Sequence, residues 1–156
     1  CFVPKVLEAL ERSGIEASSL HLELTESILL EPSEELEEAL VTLSERGVEF
    51  CIDDFGTGYS SLKYLRSFPF HKVKIAREFV DGVPHQADDA SIVDAVATLG
   101  AKLGLIVLAE GVERAEQLEF LKRCGCSEVQ GFFFGRPLAP DLLVELASER
   151  LWRSIA

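Results

Sequence analysis

The 156-residue sequence contains no methionine, so position 1 is not a translation start and a segment upstream of Cys1 is expected. Basic charge is scarce: 15 Lys and Arg stand against 27 Asp and Glu, for a formal net charge of −12. So acidic a surface repels a polyanion, which argues against nonspecific nucleic-acid binding and leaves no DNA partner expected. There are only four cysteines, Cys1, Cys51, Cys124 and Cys126. They are too few and too scattered for a disulfide framework, so reduced thiols are expected. No apolar run approaches the roughly 18 residues that cross a bilayer. The opening CFVPKVLEALERSG also lacks the basic region and apolar stretch of a secretion signal. A cytoplasmic protein with no membrane segment is the expectation. Linkers rich in Pro, Gly or Ser and low-complexity tracts are missing too, which points to one domain over 1–156, or part of one.

What is present is an alternation of helix-like and strand-like stretches. The spacing predicts helices over 2–13, 34–46, 61–66, 88–103, 114–123 and 141–152. Gly14, Gly47 and Gly104 supply stops, and Ser33 caps the second helix. Strands are expected at LHLELT (20–25), VEFCID (48–53), KVKIA (72–76), LIVLAE (105–110) and EVQGFF (128–133). Strands and helices in turn predict a parallel α/β sheet with right-handed crossovers. About five strands fall short of an eight-stranded barrel, which typically takes about 250 residues.

Strand parity carries the chemical information, because alternate residues face opposite sides. Glu23, Asp53, Lys74 and Glu110 each lie near the C-terminal end of a strand, opposite the apolar residues that would meet covering helices. Catalytic residues of parallel barrels collect at such ends. Glu23 and Glu26, Asp53 and Asp54, and Glu110 and Glu113 place six carboxylates at three strand ends. Grouped there, they would repel one another unless cations held them. Oxygen donors without a His or Cys set favour Mg²⁺, Mn²⁺ or Ca²⁺ over Zn²⁺. A single Glu of this kind is ordinarily an exposed acid in an acidic protein; three clusters at three strand ends are not. Lys74, on the inward parity, either pairs with a carboxylate or neutralises a phosphate oxygen.

The strings LELTES, CIDDFGTGYSSLKYL, KIAREFV, LAEGVE and EVQGFFFGRPL, in this order, resemble the EAL-domain family of cyclic di-GMP phosphodiesterases, from the first helix to Leu138. The resemblance implies a modified TIM (β/α)8-type barrel, here an incomplete one. It also implies hydrolysis of cyclic di-GMP to linear pGpG with two Mg²⁺ or Mn²⁺ ions. By the same resemblance, Glu23, Asp53 and Asp54 are metal ligands, Glu110 is the general base, and Lys74 positions the attacking water. Glu26 supports the loop containing Gly56, Thr57 and Gly58, Glu113 is a loop-stabilising partner, and Gln130 supports the site. A homodimer through the DFGTG loop and adjoining helices and an upstream sensor or regulatory domain are implied as well.

The sequence departs from the family pattern in two places. It begins after the segment expected to hold the Glu-Ala-Leu signature and an Asn ligand. Where the family reads Lys-Ile-Asp, it has Lys74, Ile75 and Ala76, losing a carboxylate that serves the second metal. The isolated chain is therefore expected to hydrolyse poorly. Three readings stay open: a metal-dependent phosphodiesterase, a cyclic di-GMP receptor without turnover, and an unrelated α/β-barrel enzyme using Lys74 as a Schiff-base amine. Carboxylates around Lys74 would keep it protonated, which disfavours the third. Asp54, Phe55 and Gly56 also spell a kinase DFG, but no Gly-rich phosphate loop or HRD-type loop accompanies them. The Cys124 and Cys126 pair is expected to mark a turn, and the histidines to be structural or solvated. Phe132, Phe133 and Phe134 are expected to pack in the core and at the barrel rim.

Overall fold

The computed structural model describes residues 2–29, 33–58, 65 and 67–148. Five strands, β1 (His21–Thr25), β2 (Glu49–Phe55), β3 (Phe70–Ile75), β4 (Ile106–Glu110) and β5 (Glu128–Gln130), form one sheet in sequence order. Every neighbouring pair is parallel. The helices are α1 (Phe2–Ser13), α2 (Glu34–Glu45), α3 (Arg77–Gly82), α4 (Ala87–Leu103), α5 (Ala115–Cys124) and α6 (Pro140–Ser148). The helical stretch expected at 61–66 and the end of the one expected at 141–152 lie mostly outside the described residues.

Three helix ends follow from local chemistry. Ser33 Oγ accepts from Leu36 N–H at 3.3 Å, satisfying one of the orphan donors at the start of α2. Gly104 and Gly125 close α4 and α5 in the left-handed conformation, at φ +73° and +83°. One side of the sheet presents Leu24, Phe50, Ile52, Val73, Ile75, Val107 and Ala109, all buried with Leu40, Leu43, Val93, Val96 and Leu121 of the covering helices. At Gly100 of α4 an added Cβ would overlap Val107 Cγ2, so the helix can approach β4 closely only without a side chain. The opposite side carries the ionisable residues, as parity predicts.

Three differences from the sequence expectation have physical causes. First, β2 runs on to Phe55. Ile52 pairs with Val73 and Phe55 with Ile75, so three steps on β2 match two on β3. This one-residue bulge falls at Asp53 and Asp54, and Asp54 takes the left-handed φ of +51°. Second, β5 stops at Gln130 rather than 133. Gly131 sits against the main chain of Val112, where any Cβ would collide with its backbone. Phe133 N–H then donates to Val112 O at 2.9 Å, turning the chain away. Third, Phe132 and Phe133 are therefore exposed at 44% and 39%, not packed in the core, and only Phe134 leans on it.

Candidate active site

Lys74 is the centre of the ionic face. Its side chain is only 9% exposed, and its Nζ lies 3.0 Å from Glu23 Oε1, 2.9 Å from Asp53 Oδ1 and 2.7 Å from Glu110 Oε1. Four neighbouring strands, β1 to β4, thus each send one charged residue to a single point. Burial alone would pull the lysine pKa down. The hydrogen bonds it donates to Glu110, Asp53 and Glu23 outweigh it and hold the ammonium above its ordinary value. Its three carboxylate partners favour the ammonium form, which disfavours Schiff-base chemistry.

Around the same point, Asp53, Asp54 and Glu110 each offer a carboxylate oxygen, all within 4.8 Å of one another. The β2 bulge makes this possible: in a regular strand Asp53 and Asp54 would face opposite sides. Glu23 is not in that group; it reaches the site through Lys74. Counting Glu23, four acidic side chains gather about one ammonium, a formal excess of negative charge that suits a hard divalent cation with oxygen ligands.

The loop after β2 is tied to β1. Glu26, 5% exposed, accepts from Gly56 N–H at 2.9 Å and from Gly58 N–H at 3.4 Å through Oε2. Thr57 Oγ1 donates to Asp54 O at 2.9 Å, and Asp54 N–H donates to Asp53 Oδ1 at 3.1 Å. These bonds hold the strained Asp54 backbone in place. Ala76 is buried at 3% and is the N-cap residue of α3, with no side-chain cap.

The turn after Glu110 is secured by residues that sequence reasoning did not single out. Gln117 is fully buried: its Oε1 accepts from Glu113 N–H and Arg114 N–H, both at 2.8 Å, and its Nε2 donates to Val80 O at 2.9 Å. Its position three residues into α5, reaching back to the N-cap N–H, is the glutamine half of a capping box, but Arg114 stands where the Ser or Thr of the sequence signature would be. Arg77 Nη2 donates to Glu113 Oε1 at 2.8 Å. Gln130 accepts from Val112 N–H through its main-chain O, and its exposed side chain helps line a cleft of about 180 Å³ beside Glu110. His21 and His85 pair with Glu49 and Glu116, and His71 is exposed.

A family model for the EAL domain matches residues 2–137. The chain belongs to the EAL-domain family. Its five-stranded parallel sheet with flanking helices is thus an incomplete form of a TIM-barrel-like fold. Among curated relatives, this EAL chain is 47% identical over 146 residues to the bifunctional diguanylate cyclase/cyclic di-GMP phosphodiesterase MucR of Pseudomonas aeruginosa, covering 93% of the chain and 21% of MucR. It spans about a fifth of the length of the curated relatives it matches. Among solved structures, the PaMucR phosphodiesterase in complex with c-di-GMP superposes with a TM-score of 0.86 at 47% identity, over 90% of this chain and 57% of that one. A manganese/c-di-GMP complex of Klebsiella pneumoniae BlrP1 superposes at 0.79 and 32% identity, over 86% and 34%. Solved EAL structures therefore include one that carries a divalent metal with the cyclic dinucleotide. No helix among the described residues is long and apolar enough to cross a membrane.

Proposed function

We propose that this chain carries the metal-binding and catalytic face of a cyclic di-GMP phosphodiesterase. The observation that supports it is the meeting of Glu23, Asp53 and Glu110 on Lys74, beside the Asp53, Asp54 and Glu110 oxygen cluster. That donor set fits a hard cation, Mg²⁺ or Mn²⁺, with Asp53 and Asp54 as ligands, and Glu23, which meets Lys74 beside them, is the third proposed ligand. A bound divalent ion supplies Lewis-acid polarisation of a phosphoryl oxygen and offsets its charge. Glu110 takes the proton of the attacking water as that oxygen bonds to phosphorus. Lys74, fixed by its carboxylates, orients that water, and the ester bond on the far side breaks, its oxygen keeping the bonding pair and taking a proton from solvent to become the free hydroxyl of linear pGpG. Glu26 keeps Gly56, Thr57 and Gly58 folded against the site, and Glu113 and Gln130 brace the opposite wall. A second copy of this chain and an upstream sensor or regulatory domain are the proposed partners.

Ala76 favours a second reading, a receptor that binds without turnover. A buried methyl group occupies the position where the resembled motif has a carboxylate. The two are separated by incubating the full-length protein, and its Ala76→Asp variant, with Mn²⁺ and cyclic di-GMP. Formation of pGpG by the unsubstituted protein supports hydrolysis, and product from Ala76→Asp alone supports the receptor reading. Calorimetric binding with no product from either turns the reading to a receptor, and neither binding nor product overturns both.

A further inference from the structure

The turn that carries Glu110 is gripped from outside the acidic cluster. Gly111 takes φ +78°, and an added Cβ would overlap Arg77 Cγ and lie 2.9 Å from its Cδ. The arginine's aliphatic stem therefore fills the space where any other residue at 111 would put a side chain. From there its guanidinium reaches Glu113 Oε1 at 2.8 Å, across a sequence separation of 36, and Asp81 more loosely at 3.4 Å. Arg77 thus contacts the residues one and three positions beyond Glu110 and lines the cleft that Glu110 opens into. It follows Ala76 directly, so it leaves the end of β3 where Lys74 begins the ionic cluster.

We infer that Arg77 is a positioning residue, holding the Glu110 turn in register with Lys74 and Asp53 by packing on Gly111 and pairing with Glu113. What that turn does chemically rests on the phosphodiesterase reading; what Arg77 holds rests on geometry alone. Both partners of the ion pair are substantially exposed, 55% and 39%, so the pair by itself is worth little. Its effect is to restrict a turn whose misplacement would spoil a metal or catalytic geometry.

The test uses Arg77→Met, which keeps the stem and removes the pair, Glu113→Gln, and the double substitution. Three measurements are needed: Mn²⁺ titration by electron paramagnetic resonance, amide hydrogen exchange at Val112 and Glu113, and cyclic di-GMP binding. Each single variant is expected to weaken Mn²⁺ binding about tenfold, the low end of the range for partners outside the ligand set, and to change the line shape of the bound ion. Exchange at the two amides should quicken by a similar factor, and the double variant should match the singles. Unchanged exchange in Arg77→Met, or additive effects in the double variant, overturns the inference. So does weaker dinucleotide binding with Mn²⁺ affinity and exchange intact, which would make Arg77 a direct ligand contact. Failure of the unsubstituted chain to bind Mn²⁺ sinks the metal reading instead, and the exchange data still decide the role of Arg77.

Discussion

At the scale of single residues, Ala76 is the position where stability and function diverge most clearly. Aspartate at a helix N-cap is worth about 0.5–2 kcal/mol over alanine, so Ala76→Asp should help α3. The new carboxylate would be buried, however, and a buried charge without a partner costs several kcal/mol. The second effect is larger, so without metal the variant should melt below the parent. If the carboxylate joins a cation site, Mn²⁺ should raise its melting temperature by more than it raises the parent's. Equal shifts in differential scanning fluorimetry would count against a ligand role at 76. The thiols give a pH prediction. Burial pushes both Cys51 and Cys126 up to about 12. A thiol raised in the folded state stays protonated while the unfolded chain ionises, so its contribution is complete below about 9 and is lost as pH rises toward 12. Cys126→Ala should flatten the alkaline limb of a stability-against-pH curve, and peptide mapping after alkylation at pH 8 should find native Cys51 and Cys126 largely unmodified.

At the scale of elements, helix α4 and strand β4 allow two opposing effects to be weighed. Replacing a glycine in a helix interior by alanine ordinarily gains about 1 kcal/mol. At Gly100 the new methyl would strike Val107 Cγ2, and Val107 is 1% exposed with a branched, stiff side chain. Overpacking of this kind costs about 1–3 kcal/mol, so Gly100→Ala should lower the midpoint in urea, and adding Val107→Ala should recover part of the loss. A higher midpoint in Gly100→Ala alone would show that the helix can shift away. The elements themselves were largely legible: period-2 alternation placed β1 to β4, and Gly14, Ser33, Gly47 and Gly104 marked helix ends. Parity also put Glu23, Asp53, Lys74 and Glu110 on one side, where the structure brings them together. The bulge at Asp53 and Asp54 was not legible, because it depends on how β2 registers against β3. Helix α3 was missed, being six residues long and too short for a periodic signal. The reach of Arg77 to Glu113 and of Gln117 to Val80 crosses 36 and 37 positions, which no local pattern records.

At the scale of the whole molecule, the sheet order leaves β1 and β5 each with one neighbouring strand among the described residues. A parallel edge of this kind is a template for pairing with another chain. The two edges are not equal, since β5 has three residues and β1 has five, so β1 offers the longer ladder. Two copies related by a twofold axis would join β1 to β1 in antiparallel fashion and use up the longer edge, leaving only the three-residue β5 edges for further pairing. Opposing this is the net charge of −12, whose repulsion reaches about 30 Å at 0.01 M salt but only about 8 Å at 0.15 M. Association should therefore be weak in dilute buffer and strengthen with ionic strength, the reverse of contacts made by opposite charges. Sedimentation velocity at tens of micromolar should show a monomer at low salt moving towards a dimer near 0.15 M and above. Amide exchange at residues 21–25 should slow in parallel. Dimerisation without that slowing would assign the contact to another surface, such as the loop after β2, and a monomer at every salt concentration would mean that the β1 edge is protected by its own chain.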